Sequence, residues 1–159
     1  MTIDKYELIR KLGYKAHVLD NAAWGIQQLQ NHISDMDSDV TPETAVELDA
    51  QINIIDNSNS VSEIETATYN AEVPIWNGDE NGDHMIDKQD LLWRTRSKVN
   101  LLDAYSEWIK KLQAQIHGLE DYDEVLLGLL KEHVDAIEET DDLAVLQTAI
   151  QNADRVLGN

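Results

Sequence analysis

Leu12-Gly-Tyr-Lys-Ala-His-Val-Leu-Asp-Asn-Ala-Ala-Trp-Gly-Ile-Gln-Gln-Leu-Gln-Asn-His-Ile33 is the stretch that settles the fold class. Leu12, Ala16, Leu19, Ala23, Ile26, Gln30 and Ile33 recur at alternating spacings of four and three. That is the seam of an amphipathic helix, not the period of two that marks a strand. Leu8 and Leu29 widen the stripe, and the small Ala16 and Ala23 let a neighbouring helix come close. Gly13 and Gly25 each cost about 1 kcal/mol against Ala, so packing must hold this helix together. Extended in both directions, the period gives a helix over residues 3–33, roughly 45 Å long for ~30 residues.

The same reading carries through the rest of the chain. An acidic turn at 34–40 leads into Thr41-Pro42-Glu43, which supplies an N-cap, a first-turn proline and an early acid. Helix 42–72 follows, with Ala45, Leu48, Ile52, Ile55, Val61, Ile64 and Thr68 facing inward. Its polar middle favours a break near 57–60, where Ser60 and Glu63 can form a capping box. Pro74 is expected to end the helical signal before a loop at 73–86, because the residue preceding proline avoids the α region. Helix 87–117 is apolar at Leu91, Thr95, Val99, Leu102, Ile109, Leu112 and Ile116, and Gly118 stops it. Helices 122–138 and 141–157 complete the chain. The first has Val125, Leu126, Leu129, Leu130, Val134 and Ile137 on its apolar face. The second is capped by Thr140-Asp-Asp142. No strand and no repeat stands out. The expectation is an all-α fold in one domain, 1–159: an antiparallel helical bundle of three long helical elements plus a C-terminal helical hairpin.

Composition narrows the function classes. With no cysteine among 159 residues there is no disulfide framework and no thiolate chemistry. No apolar run follows a basic N-terminus and none is long enough to span a bilayer, so a cytoplasmic protein, or a virion component built in a cytoplasm, is expected. The net charge is −19 and unevenly spread. Residues 16–87 hold 15 Asp or Glu and no Lys or Arg, whereas 88–111 hold six basic residues against three acids. General binding to nucleic acid or anionic lipid is therefore not expected. The basic helix has its counter-charge on acidic neighbours.

One loop carries a recognisable chemistry. In Asn77-Gly-Asp-Glu-Asn-Gly-Asp-His-Met-Ile-Asp-Lys-Gln-Asp90, counting from Asp79, oxygen side chains fall at the first, third and fifth positions as Asp79, Asn81 and Asp83. Met85 at the seventh offers a backbone carbonyl and Ile86 at the eighth an apolar plug. Asp87 is ninth, and Asp90 closes the loop at the twelfth. A hard cation such as Ca²⁺ takes about six to eight oxygens at roughly 2.3–2.6 Å, and alternate side chains on a tightly turning backbone can aim them at one centre. These residues resemble the EF-hand calcium loop, and more closely its dockerin variant, in which no helix enters the loop. The resemblance spans one loop and the start of one helix. It implies a structural Ca²⁺ held by Asp79, Asn81, Asp83, Met85, Asp87 and Asp90, and it does not extend to a dockerin's partner. Two departures are plain: His84 stands at the sixth position, where glycine is usual, and there is one such loop, not a pair. The competing reading is a solvated Asp/Asn/Gly turn with Asp87 as N-cap.

None of the five histidines has a Glu three residues before it, and no nucleophile elbow or phosphate-cradling glycine loop is present. An enzyme is not expected. Trp24, Trp76, Trp93 and Trp108 are candidate partner anchors, although the spacing of Trp93 and Trp108 suits the edge of a core better. The function expected is a non-enzymatic structural or adaptor subunit of a larger assembly, exemplified by a phage virion connector, neck or tail component. It would carry a calcium-stapled loop and protein partners or self-association. The alternatives are an acidic inhibitor or DNA mimic, and a dockerin-like calcium-dependent interaction module.

Overall fold

The computed structural model describes residues 3–77, 82, 84–120 and 123–159. Its elements run α1 Lys5–Asp35, β1 Asp39–Val40, α2 Pro42–Asn57, α3 Val61–Asn77, β2 His84–Met85, α4 Lys88–His117, α5 Glu124–Glu139 and α6 Leu143–Val156. The fold is all-α, as the periodicity requires. The chain forms two compact units. One comprises Met1–Asp20 with Asp103–Asn159, the other Asn21–Leu102. The long helices α1 and α4 each contribute one half to each unit.

In the Asn21–Leu102 unit, Ala23, Ile26, Leu29 and Ile33 of α1 are buried together with Leu91, Val99 and Leu102 of α4. The seam contains a part-buried polar pair: Gln30 donates to the hydroxyl of the buried Thr95 at 3.0 Å, and that hydroxyl donates to the Leu91 carbonyl. A hydrogen-bonded pair among apolar residues is satisfied in one register and stranded in others. Ile52, Ile55, Ile64, Ala67 and Ala71 add the inner faces of α2 and α3.

The break near 57–60 is present. Helix α2 ends at Asn57, and Ser60 accepts from the Glu63 amide at 3.2 Å to start the next turn of helix. The end set at Pro74 is a correction. Helix α3 continues through Pro74 to Asn77, with Pro74 buried. A proline ring removes one backbone bond and crowds the carbonyl four residues back. Here that carbonyl belongs to Asn70, an exposed residue that water can reach, and the proline is anchored by burial in the last turn. Burial outweighs the local preference of Val73.

In the other unit, Ser106 donates to Asp20 at 2.6 Å and Gln113 donates to the Ile9 carbonyl at 2.8 Å, which pairs α1 with α4 antiparallel. Helices α5 and α6 form the expected hairpin, capped by Asp123 and Asp142. After α6, Gly158 takes φ +88, the left-handed conformation that terminates helices. The inner face of α5 also needs correction. Val125 and Leu129 are exposed, while Leu127, Leu130, Val134 and Ile137 are buried. The run from Val125 to Leu130 is apolar nearly all round, so its period does not choose a face.

Four of the eight lysines bind helix ends. Lys5 donates to the carbonyls of His117 and Leu119 at the end of α4, at 3.0 and 2.6 Å. Lys15 reaches the Thr140 carbonyl that closes α5, at 2.5 Å. Lys88 reaches the Ser34 and Met36 carbonyls at the end of α1, and Lys98 the Ser58 carbonyl that closes α2, at 2.7 Å. The last carbonyls of a helix lack internal partners and carry the negative end of its dipole, so a cation there satisfies both. Much of the counter-charge in 88–111 is consumed in this way or in ion pairs such as Lys110–Asp20 at 3.2 Å.

Candidate functional site: the joined turns of the Asn21–Leu102 unit

This unit contains two successive helix–turn–helix segments, α1 into α2 and α3 into α4. Their turns meet in a short antiparallel ladder, with Asp39 opposite Met85 and Val40 opposite His84. Sequence reading finds no strand because two-residue strands are too short to show a period. One further bond extends the ladder: Ile86 donates its amide to the Ser38 carbonyl at 3.0 Å. Antiparallel pairs alternate between hydrogen-bonded and non-bonded. With Ser38 and Ile86 bonded, Asp39 and Met85 form a non-bonded pair, so the Met85 carbonyl turns away from β1. Val40, in the last pair of the ladder, is buried.

Gly82 lies hard against the first turn. A Cβ there would overlap the Val40 carbonyl and the Thr41 amide, so the close approach itself demands glycine. His84 lies extended in β2, and no described non-glycine residue has positive φ. The left-handed turn usual at a sixth loop position is therefore not made by His84.

The six ligand candidates divide as follows. Asp79, Asn81 and Asp83 lie outside the described residues. Met85 is exposed, with its carbonyl directed away from the ladder. Asp87 is exposed and caps α4, accepting from the Asp90 amide at 3.2 Å. Asp90 is half-exposed in the first turn, with its carboxylate 3.2 Å from Arg94 Nε. That contact is an ion pair but misses hydrogen-bond alignment, since Arg94 Nε has no hydrogen-bond partner. The other side of the guanidinium meets Asp49 of α2 at 2.5 Å. Burial would lower the Arg94 pKa, but Asp49 and Asp90 outweigh it and hold it above its ordinary value. The cation that already faces Asp90 is thus the protein's own arginine.

A second feature was not read from the sequence. A cavity of about 320 Å³ opens beside the first turn, lined by His32, Asp35, Asp37, Asp39, Pro74 and Trp76 among others. His32 Nδ1 lies 2.7 Å from a Glu72 oxygen, Trp76 donates to Glu72 at 3.2 Å, and the Trp76 ring meets His32 edge-on at 5.4 Å. A second depression, between α1 and α3, is lined by Trp24, Tyr69, Glu65 and Glu72 among others. Trp93, expected at a core edge, is exposed; Trp108 does sit at an edge, bonded to Asp154. Aromatic residues placed off the apolar seam are the available sequence signal for this face.

The fold and this site define an all-α protein in which paired turns are tied by a two-stranded ladder. No family model, no curated protein and no solved structure matches the chain. Among the described residues, no helix is long and apolar enough to cross a membrane.

Proposed function

We propose that the chain is a non-enzymatic structural or adaptor subunit of a larger assembly, stapled by a divalent cation, Ca²⁺ by donor chemistry, on the loop at 79–90. The observation that carries this reading is the Ile86–Ser38 ladder between the two turns. A cation held next to that ladder would fix the end of α3, the start of α4 and the α1–α2 turn together.

The donor set is suitable. Carboxylates and a carbonyl are what a hard cation takes, and the Met85 carbonyl, Asp87 and Asp90 border the loop on its α4 side. Asp79, Asn81 and Asp83 would complete the set. The entering segment differs from a dockerin's, because α3 runs to Asn77, two residues before Asp79. That supports the EF-hand form of the resemblance over the dockerin form. The cation would neutralise acids that otherwise repel one another, a structural role.

Calorimetry with CaCl₂ on the wild type and on Asp83→Ala tests the staple. Saturable heat and a raised melting temperature in the wild type, both lost in the variant and on chelation, are expected. No heat and no melting shift in the wild type would overturn it.

A further inference from the structure

The outer face of α1 and α3 in the Asn21–Leu102 unit carries three large aromatic side chains in the open. Trp24 is 61% exposed, Tyr69 72% and Trp76 71%. Tyr69, Glu72 and Trp76 follow one another at spacings of three and four along α3, on one side of that helix. Glu72 links them to α1 through His32, and Glu65 extends the acidic edge. Isolated exposed apolar residues are ordinary, but a contiguous row of aromatics rimmed by carboxylates is not. Tryptophan and tyrosine are the residue types that dominate binding energy at protein interfaces. Trp76 also lines the 320 Å³ cavity, together with Asp35, Asp37 and Asp39.

Charge selects the occupant. No lysine or arginine occurs in residues 16–87, and of the basic side chains that flank the stretch, Lys15, Lys88 and Lys98 bind helix ends and Arg94 binds Asp49. The charge partner that the described residues give this face is His32, which pairs with Glu72. Aromatic rings attract cations over their faces, and the carboxylates add long-range attraction. We infer that this face docks a basic, amphipathic segment of a partner protein, with apolar side chains on Trp24, Tyr69 and Trp76 and an Arg or Lys in the acidic cavity. The inference deepens the adaptor half of the reading above by naming the partner's chemistry, and it does not depend on the cation half.

The probe is a short helical peptide with Arg on one face and Leu on the other, with a Glu-for-Arg peptide as control. Both are titrated against the full chain with and without chelator. Binding of the Arg peptide, weakened by salt and absent for the Glu peptide, is expected. The triple variant Trp24→Ser, Tyr69→Ser, Trp76→Ser should lose at least about tenfold in affinity, the size of a hot-spot loss. Because these side chains are exposed, its helical circular dichroism should match the wild type. A control variant, Trp93→Ser with Glu124→Gln and Glu132→Gln, removes an aromatic and two acids elsewhere and should bind within about twofold, as residues outside a hot spot do. Undiminished binding by the triple variant would reduce the binding to general charge attraction and overturn the inference, as would equal loss in both variants or no binding of the Arg peptide. A dimer that the triple variant abolishes would assign the face to a second copy and overturn it too. Sensitivity to chelator alone would bear on the loop and leave the docking face standing.

Discussion

Ile86 donates its backbone amide to the Ser38 carbonyl at 3.0 Å, and through that bond the turn before α4 is held to the turn before α2. Gly82 is packed against Val40 just ahead of it. Gly82→Ala places a methyl group where the Val40 carbonyl already is. The ladder must open to accept it, and we expect a loss of about 1–3 kcal/mol, the usual range for overpacking. Urea unfolding followed by circular dichroism measures this; a variant as stable as the wild type would refute the close approach.

Lys98 is a buried cation whose amine satisfies the Ser58 carbonyl. Lys98→Ala removes the amine and leaves the packed stem's space empty, at an expected cost of roughly 2 kcal/mol. Burial also lowers the Lys98 pKa, with Asp56 opposing the shift. The unfolded chain therefore binds more protons than the native one in the window just below the ordinary lysine value of about 10.4, so this group makes stability rise with pH there. Stability–pH curves of the wild type and the variant should differ by that rise.

Asp135 receives Lys11 at 2.5 Å and Lys131 at 2.6 Å. Burial pushes its carboxyl up, but the two lysine hydrogen bonds outweigh burial and hold it below its ordinary value. The hydrogen bond to Asp135 raises Lys11 above its own. The carboxylate's contribution is complete above about pH 3.9 and disappears as the pH falls through the depressed native value; that of Lys11 is complete below about pH 10.4 and disappears as the pH rises through the raised one. Asp135→Asn should cost about 1 kcal/mol at neutral pH and flatten both edges of the stability–pH curve. An unchanged acid edge would count against the pairing.

Asp142 caps α6, accepting from the amides of Ala144 at 2.8 Å and Val145 at 3.2 Å. Asp142→Ala should destabilise α6 by about 1 kcal/mol. Trp108 provides a local readout, since its indole donates to Asp154 on that helix. Its fluorescence should report unfolding at a lower denaturant concentration than in the wild type. The same cap loss with an unshifted Trp108 transition would argue that the indole does not monitor α6.

Helix identity was legible wherever an apolar stripe ran against polar faces. Every seam residue named on α4, from Leu91 to Ile116, is buried. Legibility failed where local and long-range terms compete. Pro74 stays in α3 because the core holds its ring, a fact carried by residues far away in sequence. The apolar run at 125–130 left the phase of α5 open. The ladder between Ser38 and Ile86 depends on two turns 48 positions apart in sequence, which no periodicity records. The candidate site was legible as chemistry and only partly as geometry: Asp87 as a cap and the i,i+4 pairing of Asp90 with Arg94 follow from position, whereas the second partner of Arg94, Asp49, comes from α2 and leaves no local signal. Spacing alone draws Trp93 to a core edge, whereas its side chain is exposed.

The lysines that close helix ends also set how the molecule should meet reagents. An amine bound to backbone carbonyls and enclosed by protein reacts slowly with acylating labels, while the exposed Lys111 is open to them. Lys5, Lys15 and Lys98 are each enclosed in this way. Mild acylation should therefore stop well short of the full lysine complement, and forcing it further should unravel helix ends before it marks them. The covalent map of this protein's amines would then be a map of where its helices finish.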